Sequence, residues 1–267
     1  MPVHFNSFIP DREGELKTKL FANMVQKYTE NADDIFVSDN KKNIHMGSYF
    51  KDIKTGKNIG KVVITLVLND EEKQLQIVDT DITLLTDNKV KLHFERKLKE
   101  SSEANEYYEV YPTEDERHFD IETVNKYSLN QNEIEGTDQD VYVSIFPFQL
   151  EIFDNEEELN KRFGFDDKEV DIPGIGKKKL GMDPYMMAVG GVMTNSEEPS
   201  SFINGTINDF KDIEVNIAGI NITFTIIDLK TAIGNIPVAV NKENFDLRSI
   251  GKDKIVCMVA DVKADFR

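Results

Sequence analysis

The sequence lacks tryptophan and has one cysteine and four histidines among its 267 residues. A single cysteine, Cys257, excludes an intrachain disulfide. Its apolar neighbours Val256 and Met258 predict a buried side chain, whereas a thiolate nucleophile needs an electropositive and partly exposed site. No two histidines are spaced as in a metal-binding helix motif, and the sequence has no glycine-rich dinucleotide fingerprint and no serine nucleophile elbow. We therefore expect no bound metal and no cofactor.

Long hydrophobic runs are also missing. No eighteen consecutive residues are apolar, as a membrane-spanning helix requires. The first residues, Met1 to Asn6, lack the basic segment and the apolar segment of a secretory signal. These observations predict a cytoplasmic protein that does not bind a membrane.

Basic residues are scarce relative to acidic ones: 32 against 49, for a formal net charge of −17. Nucleic-acid affinity depends on Lys and Arg side chains that displace counterions from phosphates, so we expect no nucleic-acid partner. An acidic surface is also repelled by anionic lipid. Two interpretations remain open: the charge maintains solubility, or an acidic face binds a basic protein partner.

The hydrophobic pattern predicts an α+β, β-rich fold. A helix is expected over 14–28, because Leu16, Leu20 and Met24 recur every four residues. An apolar run at 62–68 and alternation through 90–94 predict an antiparallel meander.

The middle of the chain is predicted to contain a polar break at 100–105, a short helix at 121–129 and a strand at 141–153. Pro147 indicates that this strand is bent or lies at a sheet edge. A further helix is expected to begin at Asp154 and end at Gly164.

The C-terminal segment has the most regular alternation. About five short strands from Phe202 onward predict a small Greek-key barrel of the oligonucleotide/oligosaccharide-binding (OB) type, or a sandwich. A polar stretch at 194–201 is the predicted linker. The chain is thus expected to comprise an α+β domain at 1–195, with a further division near 100–105 as an alternative, and a β-barrel-like domain at 202–267.

The stretch 173–181 is rich in glycine and lysine and is the candidate interaction loop. Its residues of interest are Gly174, Gly176, Lys177, Lys178 and Lys179. A phosphate-binding loop would need Ser or Thr directly after its Gly-Lys pair, and here another lysine follows. The pattern instead predicts a basic, flexible connection that contacts an acidic surface of this chain or of a partner.

His118 is a weak acid–base candidate, because Glu114, Asp115 and Glu116 precede it closely. An exposed histidine in an acidic loop is the alternative. Carboxylate pairs in a cleft also stay open, since sequence spacing does not show which carboxylates meet.

The leading functional prediction is a non-catalytic cytoplasmic protein that binds a protein partner, for instance an acidic inhibitor or immunity-type protein that covers a basic surface. One alternative is an enzyme with a carboxylate-based site in a cleft between two domains. A second alternative is a structural subunit of a larger assembly.

Overall fold

The computed structural model describes residues 5, 7–10, 14–37, 43–69, 74–100, 106–124, 133–190 and 199–266. The chain is β-rich, with 60% strand and 12% helix, and its sheets are antiparallel and mixed. The prediction of a β-rich fold with few helices is confirmed at this level. The described residues contain two α-helices, α1 (Glu15–Glu30) and α2 (Glu156–Arg162).

The first sheet is an antiparallel meander of four strands in the order β1-β2-β3-β4. Its strands are β1 (Asp34–Val37), β2 (Asn43–Lys51), β3 (Asn58–Asn69) and β4 (Gln74–Leu84). The meander predicted from residue 62 onward is correct for β3 and β4, whereas β1 and β2 were not predicted. The alternating stretch 90–94 belongs to a different sheet, because it pairs with strands from later in the chain.

The remaining strands form a nine-stranded sheet and a separate hairpin. The chain continues through β5 (Lys89–Glu100), β6 (Glu106–Pro112), β7 (Phe119–Val124) and β8 (Thr137–Phe153). The hairpin follows α2 and consists of β9 (Glu169–Ile172) and β10 (Gly176–Lys179). The last strands are β11 (Met187–Val189), β12 (Ser201–Ile217), β13 (Ile220–Thr231), β14 (Gly234–Val240) and β15 (Ile255–Asp265).

The nine-stranded sheet runs in the order β11-β12-β13-β14-β8-β15-β7-β6-β5, with additional pairings between β12 and β15 and between β8 and β5. These two pairings close the sheet into two circuits of five strands that share β8 and β15. One circuit contains β5, β6 and β7, and the other contains β12, β13 and β14. Each has one parallel contact, β15 with β7 and β14 with β8.

Two large hydrophobic clusters form the core. The first cluster contains residues from both circuits. Val143 and Ile145 of β8 lie in it together with Ile227 and Val256. The second lies between the four-stranded sheet, α1 and the outer side of β12 and β13, and includes Met24, Ile64 and Phe224. Because the first cluster combines residues from both sides of the boundary near 195–202, the division into two domains stays a prediction.

In the middle of the chain, the predicted helix is wrong, and so is the edge position that was one of the two alternatives for the strand at 141–153. The helix expected at 121–129 is absent from the part of this range that the structure describes, because Phe119–Val124 is strand β7. There Phe119 and Ile121 enter the hydrophobic core while Asp120 and Glu122 alternate with them. Strand β8 is not an edge strand, because it pairs with β15 on one side and with β5 and β14 on the other. Pro147 lies instead where the β8–β15 register shifts, a place that tolerates a missing N–H.

The C-terminal segment contributes four strands rather than five. The stretches 202–207 and 213–217 belong to one strand, β12, which has an irregularity at Ile207/Asp209. The first part of β12 pairs with β15 and the rest pairs with β13, so β8 supplies the fifth strand of this circuit. Helix α2 is also slightly displaced from its prediction, because the Asn155 side chain, not Asp154, accepts a hydrogen bond from the Glu158 N–H.

Candidate functional site

The predicted interaction loop is a projecting β-hairpin, which we call the hairpin arm (residues 169–180, with β9 and β10). Every residue from 166 to 181 is exposed. Gly174 and Gly176 have φ values of 82° and 83°, a left-handed conformation that glycine adopts without a steric penalty. These glycines allow the tight reversal, so the segment forms paired strands where the sequence predicted a flexible loop.

The register of the hairpin arm places most of its charged side chains on one face. Lys177 is paired with Asp171 and Lys179 with Glu169, whereas Lys178 is paired with Val170. Cross-strand partners share one face of a hairpin, and successive residues alternate between faces. Lys177 and Lys179 therefore lie on a face with two acidic residues, and the three lysines do not form one basic surface.

The other face of the hairpin arm is exposed and mainly apolar, with Lys178 as its charged residue. Val170 and Ile172 lie on it with 41% and 38% of their surfaces accessible, and Ile175 at the turn is 64% accessible. Large contiguous apolar surfaces on soluble proteins commonly mark interaction sites. The edge strands β1 and β4 of the four-stranded sheet also expose apolar side chains, among them Ile35 and Leu75.

His118, directly before β7, lies at the end of a row of three neighbouring rings that continues across β6 and β5. The Tyr111 ring is 4.8 Å from the His93 ring and 4.9 Å from the His118 ring, between centroids. His118 Nδ1 is 2.9 Å from Glu109 Oε1. Glu109 also accepts a hydrogen bond of 2.7 Å from Arg96 Nε. The carboxylate facing His118 is thus Glu109 of the neighbouring strand, which sequence proximity did not indicate.

Asp120, two residues from His118, is a buried carboxyl group with 4% of its surface exposed. Its Oδ2 accepts a hydrogen bond of 3.3 Å from the Ser200 N–H, while Oδ1 is buried without a hydrogen-bond partner. Burial raises the pKa of Asp120 to about 6; the Ser200 N–H and Arg96 lower it, and the charge of Glu109 raises it. Asp120 therefore keeps its proton to a higher pH than an ordinary aspartate does.

A second group of ionisable side chains is enclosed where β4 meets β7 and β15. Lys263 Nζ lies 3.3 Å from Asp81 Oδ1 and 3.9 Å from Asp261 Oδ2, and it also contacts Glu122. We call these four residues the buried charge cluster. Their side chains are 0–6% exposed.

The sequence signal for the buried charge cluster is alternation of polar and apolar residues. Glu122 alternates with Ile121 in β7, and Asp261 and Lys263 alternate with Val262 in β15. This pattern is typical of a strand with one face in water. Here the polar face of β15 is covered by β4, and that placement depends on long-range pairing which the local sequence does not reveal.

Cys257 is buried, as predicted. Burial raises the pKa of its thiol to about 12; Glu151 raises it further and Arg162 lowers it. The thiol therefore stays protonated near neutral pH, which opposes a nucleophilic role.

No protein-family model, curated protein or solved structure matches this chain. Among the described residues, no group of three or more His, Cys, Asp or Glu side chains could hold a metal ion. Neither helix in the same part of the chain is long and apolar enough to cross a membrane. The hairpin arm, the His118 row and the buried charge cluster are candidate sites among the described residues.

Proposed function

We propose that this chain is a non-catalytic, cytoplasmic protein-binding protein and that the hairpin arm is its docking element. The observation that carries the proposal is the exposed apolar face of an ordered hairpin. Burying a large aliphatic side chain is favourable by about 1.5–3 kcal/mol. Val170, Ile172 and Ile175 would therefore gain substantially from a complementary apolar surface on a partner.

The charges favour a protein partner over a nucleic acid. Lys177 and Lys179 lie opposite acidic residues in the hairpin register, so the arm has little net positive charge to offer a phosphate backbone.

A basic partner surface fits the rest of the chain. The net charge is −17. A cavity of about 460 Å³ near the start of α2 is lined by Asp154, Glu156 and Glu157, beside Tyr185. Opposite charges accelerate association and select partners. The specific proposal is an acidic inhibitor or immunity-type protein. The hairpin arm would supply the apolar contact with the partner, and the acidic surface would attract the partner's basic surface.

The two alternatives have less support from the described residues. A carboxylate-based enzyme would need a site that substrate can reach, whereas the side chains of the buried charge cluster are enclosed. A structural subunit would use the same apolar arm to contact a copy of itself. The circuit of β12, β13, β14, β8 and β15 supports an OB-like barrel as a scaffold, with β8 as its fifth strand.

Site-specific photo-crosslinking in cells of the native host tests the proposal. A benzophenone amino acid replaces Ile175 at the tip of the arm, and the matched control carries it at the exposed residue Arg248. We expect a discrete adduct with one protein from position 175 and none from position 248. The change Ile172→Asp, made in the Ile175 variant, is expected to abolish the adduct.

The mass and salt dependence of the adduct separate the alternatives. An adduct with a basic protein supports the proposal if its yield falls as the salt concentration increases. An adduct of twice the chain mass of 30.5 kDa supports the structural subunit instead. Equal labelling from positions 175 and 248, or no adduct at all, contradicts docking through the arm.

A further inference from the structure

The cavity beside the start of α2 is formed by four segments that are distant in sequence. The start of α2, the stretch after the hairpin arm, strand β12 and the turn before β15 each contribute to its wall. Its volume of about 460 Å³ lies within the range of known ligand pockets, about 300–1,000 Å³. We call it the acidic cavity, because Glu156, Glu157 and Asp253 line it.

The carboxylates around the acidic cavity outnumber the cations that pair with them. Asp154, which also lines it, has one cation as a partner, since its Oδ1 lies 2.8 Å from Lys254 Nζ. Within the described residues, no ion pair engages Glu156, Glu157 or Asp253. A cleft lined by charges of one sign concentrates ligands of the opposite sign. The cavity therefore attracts a positively charged group.

Strand β12 adds buried polar atoms without hydrogen-bond partners to the same region. Thr206 lines the acidic cavity, and the described residues offer its buried hydroxyl group no hydrogen-bond partner. Asn204 lies two residues earlier, on the same face of the strand, and is fully buried. Its Nδ2 donates to the Asp183 carbonyl at 2.8 Å, but its Oδ1 likewise has no partner in the described part of the chain. Buried polar atoms usually have partners, so this pair favours an occupant that donates hydrogen bonds.

A guanidinium group has the chemistry that this lining requires. It carries five N–H donors in one plane, keeps its positive charge and stacks on aromatic rings. The carboxylates, Thr206 Oγ1 and Asn204 Oδ1 can all accept hydrogen bonds, and Tyr185 contributes an aromatic ring to the wall. A lysine ammonium group has three donors and no planar face, so it would use fewer of these groups.

The acidic cavity is close enough to the hairpin arm for one partner to contact both. Helix α2 begins at the cavity, and its other end is joined to the base of the arm, where the Met182 N–H donates to Asn160 Oδ1 at 2.6 Å. The helix has seven residues. At 1.5 Å per residue it is about 10 Å long. A protein surface of ordinary size can span this distance.

We propose that the acidic cavity binds the guanidinium group of an arginine side chain on the protein partner. This inference rests on the proposed function for the existence of that partner, and it adds the chemistry by which the partner is recognised. The hairpin arm then supplies the apolar contact, and the cavity supplies a charged contact that selects for arginine.

Nitrogen–hydrogen correlation NMR of the full-length chain tests the acidic cavity without the partner. The probe is Nα-acetyl-arginine amide, and Nα-acetyl-citrulline amide is a neutral control of the same length. We expect the arginine probe to shift the amide signals of Tyr185, Thr206 and Asp253 saturably and the citrulline control to leave them in place. Equal shifts with the two compounds, or no saturable shift with the arginine probe, overturn the proposal.

Three variants assign the binding to the acidic cavity. Glu157→Gln should weaken the arginine probe by about threefold, the size expected for one exposed ion pair. Asp166→Asn removes the same charge at an exposed residue outside the cavity and should leave the affinity unchanged. Thr206→Val should weaken binding without lowering the melting temperature, because the hydroxyl group has no partner to lose in the free protein. Unchanged affinity in both cavity variants contradicts the proposal.

Crosslinking from position 175 distinguishes this inference from the proposed function. The double change Glu157→Gln and Asp253→Asn, made in the chain that carries the benzophenone amino acid at residue 175, should lower the yield of the adduct. Asp166→Asn should not. An unchanged yield in the double variant overturns the partner's arginine as the occupant and leaves docking through the arm intact. Saturable binding of the arginine probe without any adduct supports the guanidinium site and contradicts the proposed function alone.

Discussion

The ring of Phe50 lies directly over Gly60 on the neighbouring strand, so closely that a Cβ atom at residue 60 would be 2.1 Å from Phe50 Cζ. The backbone carbonyl of Thr83 would be 2.5 Å away on the other side. Phe50 belongs to the cluster beneath the four-stranded sheet. The absence of a side chain at residue 60 therefore lets the ring pack against β3.

This contact predicts that Gly60→Ala is destabilising. The added methyl group would displace a buried ring and a backbone carbonyl, and overpacking of this kind costs about 1–3 kcal/mol. The control Gly251→Ala meets only the flexible Lys254 side chain and should be nearly neutral. Urea unfolding of the two variants measures the difference, and equal midpoints would refute the argument.

Tyr28 fixes α1 to the turn between β12 and β13. Its Oη accepts a hydrogen bond of 3.0 Å from the Ala218 N–H, and Asn23 Nδ2 donates to the Ala218 carbonyl at 3.2 Å. Tyr28→Phe would leave a buried N–H without its partner, at a cost of about 1–3 kcal/mol. Thermal unfolding checks this expectation, and an unchanged melting temperature would contradict it.

The sequence predicts the elements whose pattern is local. Leu20 and Met24 of α1 are buried as their spacing indicates, and Ala218 and Gly219 form the expected turn between alternating strands. The buried charge cluster was not predictable in this way. Lys263 and Glu122 are 141 positions apart, and their alternation with apolar residues looks the same whether the polar face meets water or a second sheet.

Asp120 gives a pH-dependent prediction of its own. Because burial raises its pKa to about 6, the folded state holds a proton that the unfolded state releases near pH 4. Its stabilising contribution is complete below about pH 4 and is lost as the pH rises through about 6. The loss is at most about 3 kcal/mol, since one pKa unit corresponds to about 1.4 kcal/mol.

Asp120→Asn should therefore be more stable than the wild type at pH 7.5 and lose that advantage at pH 4. Denaturation at the two pH values measures the change. The exposed substitution Asp166→Asn serves as the control and should show no such crossover. A variant that is less stable than the wild type at pH 7.5 would contradict the prediction.

We expect no useful affinity for bare DNA or RNA. Lys177 to Lys179 is the longest basic run, and its register places two of the three lysines opposite acidic residues. Few counterions would be released on binding, so affinity would fall quickly with salt. Fluorescence anisotropy with labelled oligonucleotides at about 150 mM salt measures this. Sub-micromolar binding that a triple alanine change at these lysines removes would reverse the conclusion.

The final prediction concerns the boundary near residue 202. Strand β8 supplies the fifth strand of the C-terminal circuit, and its residues Val143 and Ile145 share a hydrophobic cluster with Val238 and Val256. A fragment of residues 202–267 would lack β8 and so expose Val238 and Val256, with β13 as the remaining neighbour of β14 and β12 as that of β15. Unpaired edges and lost burial both disfavour folding of so short a chain. We therefore expect this fragment to show no cooperative unfolding by circular dichroism, whereas the full-length chain unfolds cooperatively. Cooperative unfolding of the fragment would instead support the independent C-terminal domain that the sequence pattern predicts.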